Sequence, residues 1–386
     1  MTAFEHAEYK SHLLMVAGAK GAVGSTLAVA VAILRHHPES ILPWLTTGNL
    51  FSHLNFLHNT HMVGWDKQDY SLLDAIVTHQ VLPEHLWKPL GTELQRFHIL
   101  DAPSPILNLE QQVIRLSSDI TSFKTLYPES LPVFINLLPA TLQMDLSRYR
   151  NFQQLYGAKD SMVPSIFPDL AYVLAAIISG VPVVNFTPNT VEIPAVISES
   201  VNHRIPIAGR DGKTGQTYLK MVLASALKAR NLYIDGWYSL NLLGNKDGEN
   251  LMDPGKAASK VAHKTELLDD ILGYAVGEKY QTTTHKVRID YYPPRGDAKE
   301  AWDVIDFQGL FGLPMSLRLN LQARDSVLAA PMVLDLSRWM AALQFAKRYG
   351  PIPELAFYFK KPIGETPPIN FQEQIAALKM LEKNCC

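Results

Sequence analysis

The segment LLMVAGAKGAVGSTLAVAVAIL, residues 13 to 34, leaves this chain few folds to choose from. It is apolar enough for a signal sequence or a membrane span. Lys20 at its middle, with Gly18, Gly21 and Gly24 around it, argues against both. As a buried strand LLMVAG, a glycine turn and a helix STLAVAVAIL, every residue type has a reason to be where it is. A strand feeding a helix through glycines is the opening unit of an α/β protein.

The first half continues in that pattern. FHILDAP, LPVFINLLPAT and SGVPVVNFTPN read as further strands, separated by helical stretches such as SLLDAIVTHQVL and FPDLAYVLAAIIS. Continuous apolar strands alternating with helices predict a doubly wound parallel sheet. The pattern changes after about residue 217. LYIDGWYSLNLL, HKVRIDYYPP and MSLRLNLQAR alternate with period two; in the last, Met315, Leu317, Leu319 and Leu321 oppose Ser316, Arg318, Asn320 and Gln322. That predicts an antiparallel sheet covered on one face. From about residue 326 the chain is helical again and returns to the first unit. The expected division is therefore 1–217, 218–325 and 326–386, with a second, α+β domain in the middle.

Hydrophobic residues make up 47% and charged residues 19% of the 386, with a formal net charge of −2. This is globular composition, with no global basic excess to suggest nucleic acid or an anionic membrane as partner. The only cysteines, Cys385 and Cys386, are adjacent and cannot staple a fold, which points to a reducing cytoplasm. The 13 histidines are scattered without metal-ligand spacing, so a metal site is left unassigned.

Four features carry chemistry. Gly18, Gly21 and Gly24, followed by Ser25 and Thr26, stand between a strand and a helix, where a dinucleotide pyrophosphate can meet free N–H groups. The spacing is not G-x-G-x-x-G, and a tight turn without ligand explains the glycines too. Asp66 in GWDKQD is a candidate for the ribose hydroxyls, or simply a helix cap. GRDGKTGQT, residues 209 to 217, is either an anion-binding nest before a helix or a capping turn; it is not a Walker loop. NLLGNKDGEN gathers Asn241, Asn245, Asp247 and Asn250 around glycines, suited to hydroxyl-rich ligands or to a plain turn.

The lysines are the fourth feature. After DPG a helical pattern places Lys256, Lys260 and Lys264 four residues apart on one face. Like charges so placed repel by roughly 0.2–0.5 kcal/mol per pair. Lys260 has only Lys256, Ala257, His263 and Lys264 at helical-neighbour spacings, so no acid relieves it. A phosphate monoester would turn that repulsion into charge-assisted hydrogen bonds, whereas a solvated face is the ordinary alternative. Lys299 in RGDAKEA and Lys360 with Lys361 in FYFKKP add to the set.

GRDGKTGQTYLK, SLNLLGNKDGENL, PGKAASKVAHKTELLDDIL, RGDAKEAWD, ARDSVLAAPMVLDL and FYFKKP resemble, in this order, the motifs of the myo-inositol-1-phosphate synthase family. The family reads G-D-D-x-K-S-G-Q-T, Y-N-H-L-G-N-N-D-G, S-K-E-I-S-K-S, G-D-S-K and E-D-S-L-L-A-A-P. The first half resembles it less: LLPATLQ stands for T-A-N-T-E-R, and NFTPNT for N-G-S-P-Q-N-T.

The resemblance implies a Rossmann domain, built from the first half and the C-terminal helices, and a middle domain that carries catalysis and builds a homotetramer. The implied reaction takes D-glucose 6-phosphate to 1L-myo-inositol 1-phosphate with NAD. It runs by C5 oxidation, enolisation at C6, aldol closure onto C1 and re-reduction. Lys260, Lys264, Lys299 and Lys360 match the active-site lysines: Lys264 and Lys299 chiefly for phosphate, Lys260 and Lys360 for the C5 and C1 oxygens. Lys360 is implied in proton exchange, with a pKa lowered by desolvation among cations. Asp211 and Asp297 join the catalytic set, and Thr214, Gln216, Asn241, Asn245 and Asp247 line the pocket. Gly18, Gly21, Gly24, Ser25, Thr26, Asp66, Thr141, Asp325 and Ser326 fall to the cofactor, and Lys256 to the rim. Besides NAD, a divalent cation (Mg or Zn) or a monovalent one (K or ammonium) belongs to the family's requirements. Two rival readings fit the same residues. One is a relative acting on a different sugar phosphate; the other is a non-catalytic nucleotide- or sugar-phosphate-binding protein.

Overall fold

The computed structural model describes residues 9–51, 53–141, 145–156, 168–253 and 267–385. Strand β1 (Ser11–Ala17) is buried at every position, as a central parallel strand must be. It pairs in parallel with β2 (Thr60–Asp66) on one side and β4 (Ser130–Asn136) on the other. Adding β3 (His98–Asp101), β5 (Val183–Asn185), β6 (Pro206–Gly209) and β11 (Gly350–Pro351) gives seven parallel strands in the order β11-β6-β5-β4-β1-β2-β3. The order reverses between β1 and β4, so a crevice opens beyond their carboxyl ends.

Helix α1 (Ala22–His36) lies between β1 and β2 in the chain, and α2 (Leu109–Leu126) between β3 and β4. α3 (Pro168–Ile178) precedes β5 and packs on α2. Two apolar cores result, one on each face of the sheet. Leu14, Val16, Leu27 and Val31 meet Val333 and Leu336 on one side; Leu13, Met15 and Phe134 meet Leu116 and Val173 on the other. Each such side chain contributes roughly 1.5–3 kcal/mol on burial. Val333 and Leu336 come from α5 (Asp325–Phe345), which packs on α1. Among the described residues α5 is also the one helix long and apolar enough to cross a membrane, and its apolar surface is spent in this core.

The second sheet has the order β10-β9-β7-β8, formed by β7 (Tyr233–Leu243), β8 (His285–Tyr291), β9 (Ala298–Gln308) and β10 (Pro314–Arg324). It is mixed rather than antiparallel: β9 runs antiparallel to β7 and β10, but β8 pairs with β7 in parallel. The connection between β7 and β8 is a long crossover, which a parallel pair requires. Helix α4 (Gln216–Ala229) supplies Met221 and Ala224 to a third core with Ile234, Trp237, Leu268, Ile271 and Ile305.

Among the described residues the predicted covered face of β10 is only partly covered, with Leu319 and Leu321 half-buried. Met315 and Leu317 are exposed, and at the β9–β10 turn Leu310 and Phe311 are 78% and 86% exposed. A last helix, α6 (Phe371–Cys385), buries Leu381 and Cys385.

Candidate active site

The glycine turn after β1 lies in the crevice. Gly18 takes φ +82°, and a Cβ on it would stand 2.9 Å from the Leu137 carbonyl oxygen. A Cβ on Gly24 would meet the Gly18 and Ala19 oxygens at 2.5 and 2.6 Å, so α1 can approach the turn only because position 24 is glycine. Gly21 is the N-cap of α1 and is less tightly pressed. The Ser25 and Thr26 hydroxyls donate back to the Ala22 carbonyl, leaving the helix's terminal N–H groups as the donors for an anion. Asp66 ends β2, where an acid reaches ribose hydroxyls. It caps no helix; its oxygens accept from the Lys20 and Lys67 amides at 2.7 and 2.8 Å. Lys20 is turned away, its ammonium donating to the Lys67 and Tyr70 carbonyls. This cradle fits a dinucleotide.

Thr141, across the crevice, is positioned by a side chain that sequence reasoning missed. Its N–H donates to Asn189 Oδ1, and Asn189 Nδ2 donates to the wholly buried Asp169 at 2.8 Å. Asn136 donates to the same oxygen, while burial still raises the Asp169 pKa.

The cation site begins where β6 ends. Residues 209–213 do not form a free nest. The Arg210, Gly212 and Lys213 amides donate to the Lys361, Phe186 and Tyr358 carbonyls, and the Lys360 amide donates to the Asp211 carbonyl. The first two residues of FYFKKP close a 3₁₀ turn, Pro353–Tyr358, and the strip from Phe359 to Lys361 lies along this loop. A Cβ on Gly212 would fall 2.1 Å from the Phe186 ring, so glycine is required for the close approach. Asp211 itself holds φ +61°.

This strip sets Lys360 against Asp211, Nζ to Oδ1 at 2.7 Å, both nearly buried. Lys299, second residue of β9, is held by Asp325 at 3.2 Å, and Thr214 donates to the other Asp325 oxygen at 3.3 Å. Thr214, Gln216, Asn241, Lys299, Asp325 and Lys360 line one small cavity of about 50 Å³. Lys299 and Lys360 therefore each have a carboxylate of their own, and Asp211, expected in the catalytic set, is bonded to Lys360 directly. Asp325, expected at the cofactor, is bonded to Lys299, the lysine expected at the phosphate. Ser326 donates to Asp297 at 3.0 Å, and Asn245 does so at 3.4 Å; burial raises the Asp297 pKa.

Asn241 points both amide atoms, buried and without a partner among the described residues, at this region, as does Gln216 its Oε1. Asn245 also caps the turn through the Gly248 amide, combining the turn and pocket readings. Lys256, Lys260 and Lys264 lie outside the described residues, and so does the side chain of Asp247. Lys213, missed because lysines are usually exposed, is fully buried against Gln374 Oε1 at 2.7 Å. Burial and the Lys360 charge bring its pKa down to about 7. Among the described residues no cluster of His, Cys, Asp and Glu is arranged to hold a metal ion.

A larger cavity, about 570 Å³, lies elsewhere, lined by Arg35, His36, His61 and Arg96. Arg35 and His36 are bound to Glu93 and sit in the last turn of α1, whose dipole they complement. That placement accounts for them without a ligand.

A sequence model described as Myo-inositol-1-phosphate synthase matches residues 215–326, the segment that carries Gln216, Asn241, Lys299 and Asp325. The protein named Inositol-3-phosphate synthase 1 of Bacteroides thetaiotaomicron is 37% identical over 295 residues, covering 75% of this chain and 67% of that one. The chain belongs to the myo-inositol-1-phosphate synthase family. An inositol-3-phosphate synthase of Spirodela polyrhiza is 31% identical over 71% of this chain, but the match spans only 58% of the plant protein.

The fold of this synthase-family chain recurs in two solved structures. The inositol-3-phosphate synthase of Caenorhabditis elegans superposes with a TM-score of 0.81 at 18% identity, covering 98% of this chain and 86% of that one. A myo-inositol-1-phosphate synthase-related protein of Thermotoga maritima gives 0.78 at 21%, covering 97% and 98%.

Proposed function

We propose that this chain is an NAD-dependent isomerase that cyclises D-glucose 6-phosphate to 1L-myo-inositol 1-phosphate. The observation that carries the reading is the convergence of Lys299 and Lys360, each with a carboxylate partner, on one cavity beside the buried Asn241 amide and Gln216 Oε1, which have no partner among the described residues. Family membership supplies the reaction class.

The cradle of Gly18, Gly24 and Asp66 would hold NAD, which when bound supplies a hydride acceptor and donor so that oxidation and reduction cancel. The remaining work falls to side chains. Lys299, steadied by Asp325, binds the phosphate together with Lys264. The Lys360–Asp211 pair exchanges the proton at the C5 oxygen. Lys260 and Lys360 then hold the negative charge that oxygen gains when the adjacent C–H is deprotonated, in a pocket poor in water. Thr214, Asn241 and Gln216 orient the hydroxyls so that the two ends of the sugar meet. Asp297 holds the Ser326 and Asn245 side chains in register, and Thr141 closes the crevice from the other side.

The exposed apolar face of β10 and its turn is proposed as the contact with further copies in a homotetramer, and the cytoplasm as the site of action. A different sugar phosphate is the second reading, favoured by LLPAT and NFTPNT, whose loops frame the crevice and depart from the family's motifs.

The test is ³¹P and ¹H NMR of products from glucose 6-phosphate and NAD, with Mg²⁺, Zn²⁺, K⁺ or ammonium supplied in turn. Inositol 1-phosphate without net NADH is expected. No product under any of these conditions rejects glucose 6-phosphate as substrate.

A further inference from the structure

Gln216 opens α4, and its Nε2 donates to Asp303 Oδ2 at 2.8 Å. Its Oε1 is buried beside the cavity without a partner among the described residues. The other Asp303 oxygen accepts from Ser239 Oγ at 2.5 Å and Trp237 Nε1 at 2.7 Å. One turn further along α4, Lys220 reaches Ser239 Oγ at 3.0 Å and His285 Nε2 at 2.7 Å, its ammonium over the Trp237 ring. Gln216, Lys220, Ser239 and Asp303 are all essentially inaccessible to solvent.

The donors in this chain all run one way. Lys220 donates to Ser239, Ser239 to Asp303, and Gln216 to Asp303. A carboxylate only accepts, so turning the Gln216 amide over would set two oxygens against each other at hydrogen-bond distance in a dry site. The amide can therefore offer the cavity only its oxygen.

We propose that Asp303, backed by Ser239 and Lys220, is a positioning residue that fixes Gln216 as a hydrogen-bond acceptor and so selects a hydroxyl at one position of the ligand. The inference deepens the functional reading and rests on it for the ligand class, a phosphorylated polyol. A group that cannot donate leaves the Gln216 oxygen buried and unpaired, which is where such a site discriminates.

The experiment is calorimetric binding of glucose 6-phosphate and its monodeoxy and monodeoxyfluoro derivatives to the NAD-loaded protein, for wild type and Asp303→Asn. In wild type one position should lose about 10- to 100-fold in affinity on either replacement. In Asp303→Asn the new amide can turn its NH₂ to Gln216, freeing Gln216 to invert. The inverted amide presents NH₂, which fluorine accepts weakly and a CH₂ does not, so the penalty for the fluoro derivative should fall below about threefold while that for the deoxy derivative persists. A folded Asp303→Asn protein with the wild-type ranking overturns the inference. Should that variant not fold, Ser239→Ala must reduce the same penalty, and an unchanged ranking there overturns it equally. If wild type binds none of the sugars, the functional reading fails. The amide is then read directly by NMR of protein carrying ¹⁵N in glutamine side chains, with Gln216→Asn to assign the signal. A Gln216 NH₂ not protected from exchange in wild type overturns this inference alone.

Discussion

Gly212→Ala probes the junction on which the site is built. The added Cβ would lie 2.1, 2.3 and 2.6 Å from three carbons of the Phe186 ring. Carbon atoms rest at about 3.5–4.0 Å, so the ring must retreat by roughly 1.4 Å or more, or the 209–213 strip must lift. The ring is not free to go: it packs edge-on to Phe359, and the Phe186 carbonyl accepts the Gly212 amide. Overpacking of this size costs about 1–3 kcal/mol, readable as a lower urea midpoint with unchanged slope. The loss of activity should exceed the loss of stability, because this strip sets Asp211 against Lys360. A displacement of about 1 Å there lowers kcat/KM by about 100-fold. Phe186→Ala in the Gly212→Ala background removes the ring and should recover most of the stability. A Gly212→Ala protein as stable and active as wild type refutes the reasoning. So does a double variant no more stable than the single one.

Lys360→Met should abolish turnover while leaving the fold, checked by product NMR and circular dichroism; retained turnover excludes Lys360 from proton exchange. Asp66→Ala should weaken NAD binding by about 10- to 100-fold in a calorimeter, since it removes a hydrogen-bond acceptor at the end of β2. The buried lysines make stability depend on pH. Lys213 is lowered to about 7 and Lys220 to about 8 from 10.5, so above these values the unfolded chain binds more protons than the folded one. Stability should therefore rise with pH from about 7 towards 10. Lys213→Met should flatten that rise in urea unfolding measured at each pH, and an equally steep rise in the variant would show that Lys213 is charged in the fold.

What sequence could and could not deliver divides along one physical line. The parallel sheet was legible because β1 and β4 are buried on both faces and so read as unbroken apolar runs. β9, AKEAWDVIDFQ, was not. Its inward row carries Lys299 and Asp303 beside Ala301 and Ile305, because that row forms a site wall as well as a core. Asp303 stands opposite Ser239 in the register, so its acid is satisfied by a neighbouring strand that no local pattern announces. Lys213 and Lys220 escaped for the same reason: their partners Gln374 and His285 lie far along the chain. β10 misled in the opposite direction. Its alternation is genuine, yet Met315 and Leu317 find no cover among the described residues. An apolar face implies a partner surface without saying whose. Period and burial are properties of one element, and local sequence encodes them. Ion pairs such as Lys360–Asp211, 149 residues apart, belong to the fold's closure, and there only the motif resemblance carried information. Charged residues at core positions are thus the places where a sequence pattern breaks because chemistry, not packing, sets the residue.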